Sequence, residues 1–308
     1  MLGFLARRAV QAVLVLFGVS VVVFLLLHLT GDPAVLLLPP DASLADLASF
    51  RHSQGFDRPL QEQYIRFLLG VLHGDFGQSL RYHQPAMRLV LERVPATAEL
   101  AFAALAIALL VAFPAGILSA LNRGTAWDTL VISGTLVGQS MPTFWLGIML
   151  ILVVSVTLGL LPAGGRGGPE HLVLPAVTLA GFSMARTARL VRSGMLEVFG
   201  QDYIRTARAK GLPRLLVVRR HAVPNMLIPI VTVIGLDLGT LLGGAVITET
   251  IFAWPGIGQL AISAIQFRDY PLVQSAVFLV AAGYVLVNLL VDLLYTLINP
   301  RIRFGKAE

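Results

Sequence analysis

Apolar positions in this chain fall into six long runs, at 9–29, 96–121, 129–161, 172–185, 226–254 and 271–298. A helix crossing bilayer hydrocarbon needs about 20 mostly apolar residues, because no water is present there to satisfy an exposed backbone. Four runs meet that length as single helices. The third is long enough for one tilted helix or for two short ones about Pro142, and the fourth reaches Arg186 after about 14 apolar residues, below the usual minimum. Two polar segments interrupt the pattern, one at 30–95 and one at 195–223. Within the first, residues 63–72 alternate polar and apolar groups at helical spacing, which predicts short helices on the membrane surface or folded over a pore mouth. The second is basic and interrupted by Gly211 and Pro213.

Charge settles the two ambiguous runs. With six spans and both termini on the cytoplasmic side, the inner face receives Arg7, Arg8, Arg123, the cluster from Arg186 to Arg220, and Arg301, Arg303 and Lys306. Splitting the third run would place that cluster outside, against the excess of Lys and Arg found in cytoplasmic loops. The third run is therefore expected to be one long helix kinked at Pro142. Arg186, Arg189 and Arg192 recur every three residues on one helical face, from which long side chains reach the membrane edge and let a short apolar stretch span.

Composition agrees: 56% of the 308 residues are hydrophobic and 13% charged, where a soluble domain carries about 25% charge. The net charge of +6 follows the spans and is a topology signal, so nucleic acid is not an expected partner. The basic N-terminus followed by 9–29 resembles a signal peptide, but the run is long enough to span and no small-residue cleavage site follows, so a retained helix is expected. No cysteine is present, which excludes disulfides and thiolate chemistry. One membrane domain is expected over 1–308, with no repeat, linker or low-complexity tract.

Catalytic motifs are missing from the sequence. There is no His-Glu-x-x-His, no Gly-x-Ser-x-Gly and no Gly-x-x-x-x-Gly-Lys-[Ser/Thr] loop for nucleotide phosphates. Energy for any transport must come from a partner or a gradient. The six histidines lack ligand spacing, so no metal site is expected. Acids in or near spans are Glu99, Asp237, Glu249 and Asp292, each a candidate for function because charge in hydrocarbon is costly. Glu99 and Glu249 lie near helix ends, which leaves Asp237 and Asp292 deep. With Gln139, Ser140 and Pro142 of the third run, these two are candidates for a pathway or for the bundle interior. Gly235, Gly239, Gly243 and Gly244 allow close helix approach.

The segment Asp202-Tyr203-Ile204-Arg205-Thr206-Ala207-Arg208-Ala209-Lys210-Gly211-Leu212, followed by Arg220-His221-Ala222-Val223-Pro224-Asn225, resembles the coupling loop of permease subunits of binding-protein-dependent ABC importers. Gly211 and Pro224 fit that family's spacing and Ala207 takes its second alanine, whereas Arg205, Thr206, His221 and Val223 depart from its general pattern. The peptide-importer branch is closer, through Arg205-Thr206-Ala207-Arg208-Ala209-Lys210-Gly211-Leu212. Gly31-Asp32-Pro33, Gly74-Asp75-Phe76-Gly77-Gln78-Ser79-Leu80, Glu92-Arg93-Val94-Pro95-Ala96-Thr97, the run from Thr248 to Gly258, Arg268-Asp269-Tyr270-Pro271 and Asn299-Pro300-Arg301 agree in order with that branch. The Gly-Asp-Pro start and the long first outer loop resemble the B-type member of the permease pair.

The resemblance implies an all-α, type I importer permease fold of about six spans in a bacterial cytoplasmic membrane. It implies a C-type permease partner, two ABC ATPase subunits that carry ATP and Mg, an extracytoplasmic binding protein, surrounding lipid, and no cofactor on this chain. Asp202, Arg205, Ala207, Arg208, Ala209, Lys210, Gly211, His221, Pro224 and Asn225 would form the ATPase-coupling surface. Glu249, Phe252, Trp254, Pro255, Gly256 and Asp269 would form an outer gate or a docking surface for the binding protein. The competing readings are a proton-coupled carrier using Asp237, Glu249 or Asp292, and a scaffold without transport. Among cargoes, the resemblance leaves open dipeptides, longer peptides, glutathione, nickel chelates, sugars and haem.

Overall fold

The computed structural model describes residues 2–29, 31, 35, 38 and 42–298. Asn299-Pro300-Arg301, Arg303, Lys306 and most of the Gly31-Asp32-Pro33 motif fall outside them. All regular elements among the described residues are helical: α1 (Leu2–Leu29), α2 (Leu44–Gln54), α3 (Leu60–Leu72), α4 (Ala86–Leu91), α5 (Val94–Leu121), α6 (Ala126–Ser140), α7 (Thr143–Leu150, continued by wider π-helical turns over Ile151–Thr157), α8 (Pro169–Phe199), α9 (Asp202–Ala209), α10 (Arg214–Val217, continued by π-helical turns over Val218–Ala222), α11 (Val223–Ile251), α12 (Ile257–Gln266) and α13 (Tyr270–Ile298). They divide between two compact units, Met1–Thr97 with Trp254–Val285, and Ala98–Ala253 with Leu286–Glu308.

In the first unit the polar segment after α1 folds back along α1. Tyr64 of α3 shares a 2.9 Å hydrogen bond with Ser20 and sets its ring edge-on to Phe24, while Gln63 meets His28 at 3.0 Å. Ser20 is two and a half turns before the end of α1, so α3 is drawn alongside the span rather than resting across its end. Apolar side chains of α1, α4, α12 and α13 close the core, with Leu27, Val90, Leu260, Tyr270 and Leu272 buried together.

The second unit is organised around α8, the least apolar of the spans and the most enclosed. Leu174, Ala176, Thr178, Leu179, Ala180, Gly181, Ser183, Ala185, Thr187, Ala188, Val191 and Met195 are all buried. A helix surrounded by other helices has no need of a lipid-facing apolar coat, which is why hydropathy alone undervalues it. Among the described residues three helices are long and apolar enough to cross by themselves, α1, α5 and α13, and two more spans pass as bent pairs, in α6–α7 and within α11. The 31-residue α8 carries the fourth apolar run of the sequence and is not among them.

The third run is not a single kinked helix: α6 and α7 meet at 103°. Proline cannot donate to the helical ladder and pushes the preceding residue out of the α region. Here both Met141 (ψ 127°) and Pro142 (ψ 135°) are extended, and two extended residues in succession separate helices rather than bend one.

Contacts within the second unit fix the direction of each helix. Leu121 at the end of α5 accepts from Arg214, and Asp128 at the start of α6 pairs with Arg192 near the end of α8. At the opposite end, Arg166 pairs with Glu99 near the start of α5, and Gly165 donates to Phe252 just after α11. The basic segment after α8 and the α5–α6 turn therefore share one end, as the charge pattern requires. Close approach carries the packing: a Cβ on Gly116 would lie 2.5 Å from the Ala188 carbonyl oxygen and 2.7 Å from Val191, whereas one on Gly243 would meet nothing within 4 Å.

Gly116→Ala is expected to destabilise the purified protein by about 1–3 kcal/mol, because α5 and α8 must separate. Gly243→Ala should leave stability unchanged or slightly raised, since Ala favours a helix over Gly by about 1 kcal/mol. Thermal unfolding in detergent compares the two, and equal midpoints would contradict this packing.

Candidate functional site

The basic segment folds as a small, seated element. Ile204 and Ala207, one turn apart on α9, are buried against Val191, Met195, Val217, Val218, Ala222 and Met226. The opposite face exposes Asp202, Arg205, Thr206, Arg208, Ala209 and Lys210. Ala207 thus packs inward and seats the helix, while Ala209 stands on the outer face. The helix closes with a Schellman turn: Leu212 N–H donates to Ala207 O at 3.4 Å, Gly211 N–H donates to Arg208 O at 2.9 Å, and Gly211 takes φ +75°. A Cβ at Gly211 would meet nothing within 4 Å. The glycine is there for its left-handed backbone, and the space beside it is open.

Three anchors hold this element to the unit. Arg214 caps the last carbonyls of α5 by donating to Leu121 O at 2.5 Å, the Arg208 guanidinium stands 5.6 Å from the Phe199 ring, and Leu212 packs on the same apolar cluster as Ile204. Further along, Pro224 occupies the first turn of α11, where a missing N–H costs nothing, and Asn225 donates to His221 O at 2.7 Å. His221 is half-buried, and Pro224 and Asn225 are exposed. The result is a short amphipathic helix with a fixed end and an outward face carrying Arg205, Arg208 and Lys210.

Above it, the three arginines of α8 each meet a different neighbour. Arg186 pairs with Asp237 of α11 at 3.1 Å, and the same carboxylate accepts from Ser183 at 2.7 Å. Arg189 donates to the side-chain oxygen of Gln139 on α6. Arg192 grips Asp128 with two nitrogens, at 2.7 and 2.9 Å, and Ser119 and Gly124 N–H donate to the same carboxylate. Asp237 is therefore an ion-pair partner within the bundle. Asp128 was missed by the sequence reading: it stands immediately before an apolar run, where an acid looks like an ordinary helix-start residue, and its partner lies 64 positions away. Ser140 and Pro142 line a shallow depression with Leu136, Met141 and Trp145 at the α6–α7 break, apart from Gln139 and the arginines. Asp292 is half-buried on the last turns of α13.

The residues of the other candidate surface are internal to the chain. Glu249 and Phe252 are fully buried in the second unit; Trp254 and Asp269 are buried in the first. Trp254 donates to Ala96 O at 2.8 Å, with Gly256 buried beside it and Pro255 half-buried. Asp269 accepts from Ser79 Oγ at 2.5 Å, Arg81 N–H at 3.2 Å and Leu272 N–H at 3.3 Å, so it caps α13 and ties down the 79–82 turn at once. These side chains order the loops around them.

Two predictions follow from the pairs. Removing one partner of an enclosed ion pair leaves the other uncompensated and costs more than the pair is worth, so Asp128→Asn and Arg192→Gln should each destabilise by about 2 kcal/mol or more. The double variant should cost less than their sum by about 1–3 kcal/mol. Strict additivity in a thermal or denaturant double-mutant cycle would contradict the coupling. Separately, Asp269→Ala should raise hydrogen exchange at residues 79–82 at least about tenfold while leaving 202–212 unchanged; unaltered exchange at 79–82 would show that the carboxylate does not hold the turn.

Residues 1–101 match the family model described as binding-protein-dependent transport system membrane component, N-terminal, and residues 112–304 match the binding-protein-dependent transport system inner membrane component. The dipeptide transport system permease protein DppB of Escherichia coli (strain K12) is 41% identical, over 99% of this chain and 100% of its own length. The di/tripeptide permease DppB of Pseudomonas aeruginosa (strain UCBPP-PA14) is 42% identical over 98% and 99%, and the glutathione permease GsiC of Escherichia coli (strain K12) 39% over 99% and 100%. Among solved structures, a chain of the inward-facing MetNI methionine ABC transporter aligns with TM-score 0.58 at 22% identity, over 69% of this chain and 97% of that one. That likeness speaks for the fold, the type I importer permease fold. From helix order, basic loop and whole-length kinship together, the chain belongs to the binding-protein-dependent transport system inner membrane components, as a multi-pass permease subunit of the B type found in dipeptide ABC importers.

Proposed function

We propose that this chain is one of two permease subunits in an importer that moves di- or oligopeptides inward by alternating access, driven by ATP hydrolysis on two partner ATPase subunits. The observation that carries the reading is α9: a helix seated by Ile204 and Ala207, ended by Gly211, and presenting Arg205, Arg208 and Lys210 outward beside open space. Its rigid seating on α8 and α11 suits it to pass a partner's movement into the spans. The names of the relatives support peptide as cargo.

In this reading both termini and α9 face the cytoplasm, a C-type permease completes the pathway, and an extracytoplasmic binding protein delivers cargo. The 1–308 chain works as one permease domain, and nucleotide and Mg belong to the ATPase subunits. His221, Pro224 and Asn225 brace the coupling element from behind, where α11 begins. Trp254, Pro255, Gly256 and Asp269 in the first unit, and Glu249 and Phe252 in the second, each order the loops of their own unit, and in this reading those loops lie on the outer side where the binding protein docks. Pairing of Asp237 with Arg186 speaks against a proton-carrying role for that carboxylate.

Gly211→Val and Gly211→Asn test the coupling surface. Valine at positive φ costs about 1–2 kcal/mol and asparagine less, too little to prevent insertion. Both side chains would fill the open space. Uptake by the reconstituted complex is expected to fall at least about tenfold in both variants, with the two permeases still purifying together. Unaltered uptake in Gly211→Val would contradict the assignment.

A further inference from the structure

The outward stripe of α8 is polar where its surroundings are apolar. Arg186, Arg189, Ser193 and Glu197 recur at helical spacing on the side of α8 least covered by the rest of the unit. Arg186 keeps 45% of its side chain exposed. On α6, by contrast, the uncovered positions include Trp127, Leu130, Leu136 and Val137. Hydrocarbon accommodates the second set and rejects the first, so the α8 stripe belongs against water or polar groups.

Along this stripe runs a cleft of about 410 Å³ lined by Gln139, Arg186, Arg189, Arg192 and Ser193. Its charge is not balanced from within. Arg186 is answered by Asp237 and Arg192 by Asp128, both enclosed carboxylates, but the partner of Arg189 is the neutral amide oxygen of Gln139. Three guanidinium groups face two carboxylates, leaving one positive charge directed at the opening. The size lies in the range of small-ligand sites, about 300–1,000 Å³. Arginine's planar fork suits a carboxylate, which can accept two of its N–H groups side by side, and the Gln139 amide N–H2 adds a neutral donor at the same wall.

Resting on the proposal that this chain carries peptides, we infer that the cleft is a transit site for the C-terminal carboxylate of the cargo, with Arg189 as the binding cation. Gln139 holds Arg189 through a neutral acceptor, which a cargo carboxylate can replace with a charged one. Asp237 and Asp128 hold the flanking arginines in place, so that the site carries one unit of attraction rather than three. One net charge lets a zwitterionic peptide bind and leave; three would retain it.

The test uses the full complex in nanodiscs of zwitterionic lipid, without the binding protein, so that the latter's selectivity does not enter. Alanyl-alanine and its C-terminal amide are titrated calorimetrically up to about 20 mM. The acid form should bind about tenfold more tightly than the amide. Arg189→Gln should remove that difference and Arg189→Lys retain part of it. Gln139→Glu, which supplies Arg189 with an internal carboxylate, should remove it as well and serves if Arg189→Gln does not assemble. Equal binding of acid and amide, or no binding of either by the unaltered complex, overturns the inference. So does a preference that survives both Arg189→Gln and Gln139→Glu. Arg189-dependent binding of short-chain phosphatidylglycerol without discrimination between acid and amide makes the cleft a lipid phosphate site and also overturns it. Uptake of alanyl-alanine by the unaltered complex with its binding protein, measured in parallel, separates the two levels: without uptake the peptide-importer reading fails, and with uptake but no discrimination only the transit site does.

Discussion

Three arginines on one helix in a membrane can be kept only if other helices answer them, and the second unit is built around that constraint. Asp237 reaches Arg186 from α11, Gln139 reaches Arg189 from α6, and Asp128 reaches Arg192 from the first turn of α6. Each tie joins α8 to a different part of the bundle at a different height. Apolar contact between membrane helices gains little over contact with lipid, so such ties, with the close approach at Gly116, give the unit its register. The outcome is a central helix poor in apolar surface because lipid never touches most of it.

The same helix leads into α9. Val191 and Met195 of α8, Ile204 and Ala207 of α9, and Met226 of α11 share one apolar cluster. α9 is thus tied to two spans through packed side chains rather than through a flexible loop, and a close-packed interior transmits strain. Gly211 and Leu212 complete the mechanics by fixing where α9 ends.

Much of this was legible in the sequence, for identifiable reasons. Long apolar runs announce spans because lipid leaves the backbone no alternative to a helix, and the Arg and Lys distribution placed the basic segment at the same end as the α5–α6 turn. The interruption at Gly211, where α9 ends, was visible in the local sequence, since capping is a local affair. What escaped was either non-local or concerned the degree of an effect. Pro142 was expected to kink a helix and instead separates two, because Met141 is extended as well. Asp128 gave no sign of its tie to Arg192, and the sequence did not reveal that Glu249, Trp254 and Asp269, expected at an outer gate or docking surface, are each buried. Spacing along the chain reports which residues share a face but not which neighbour covers that face.

If ATP drives this permease through α9, the outer face of that helix must meet an ATPase subunit. The chain contains no cysteine, so a single Arg205→Cys substitution reports from one place, with the buried Ile204→Cys as its control. In the assembled complex, Cys at position 205 should cross-link to an ATPase subunit through a short bifunctional maleimide and lose its labelling by a water-soluble maleimide. Labelling at position 205 that is equal in the complex and in the isolated chain, with no cross-linked ATPase, would contradict the central claim that α9 is where the energy of ATP enters this permease.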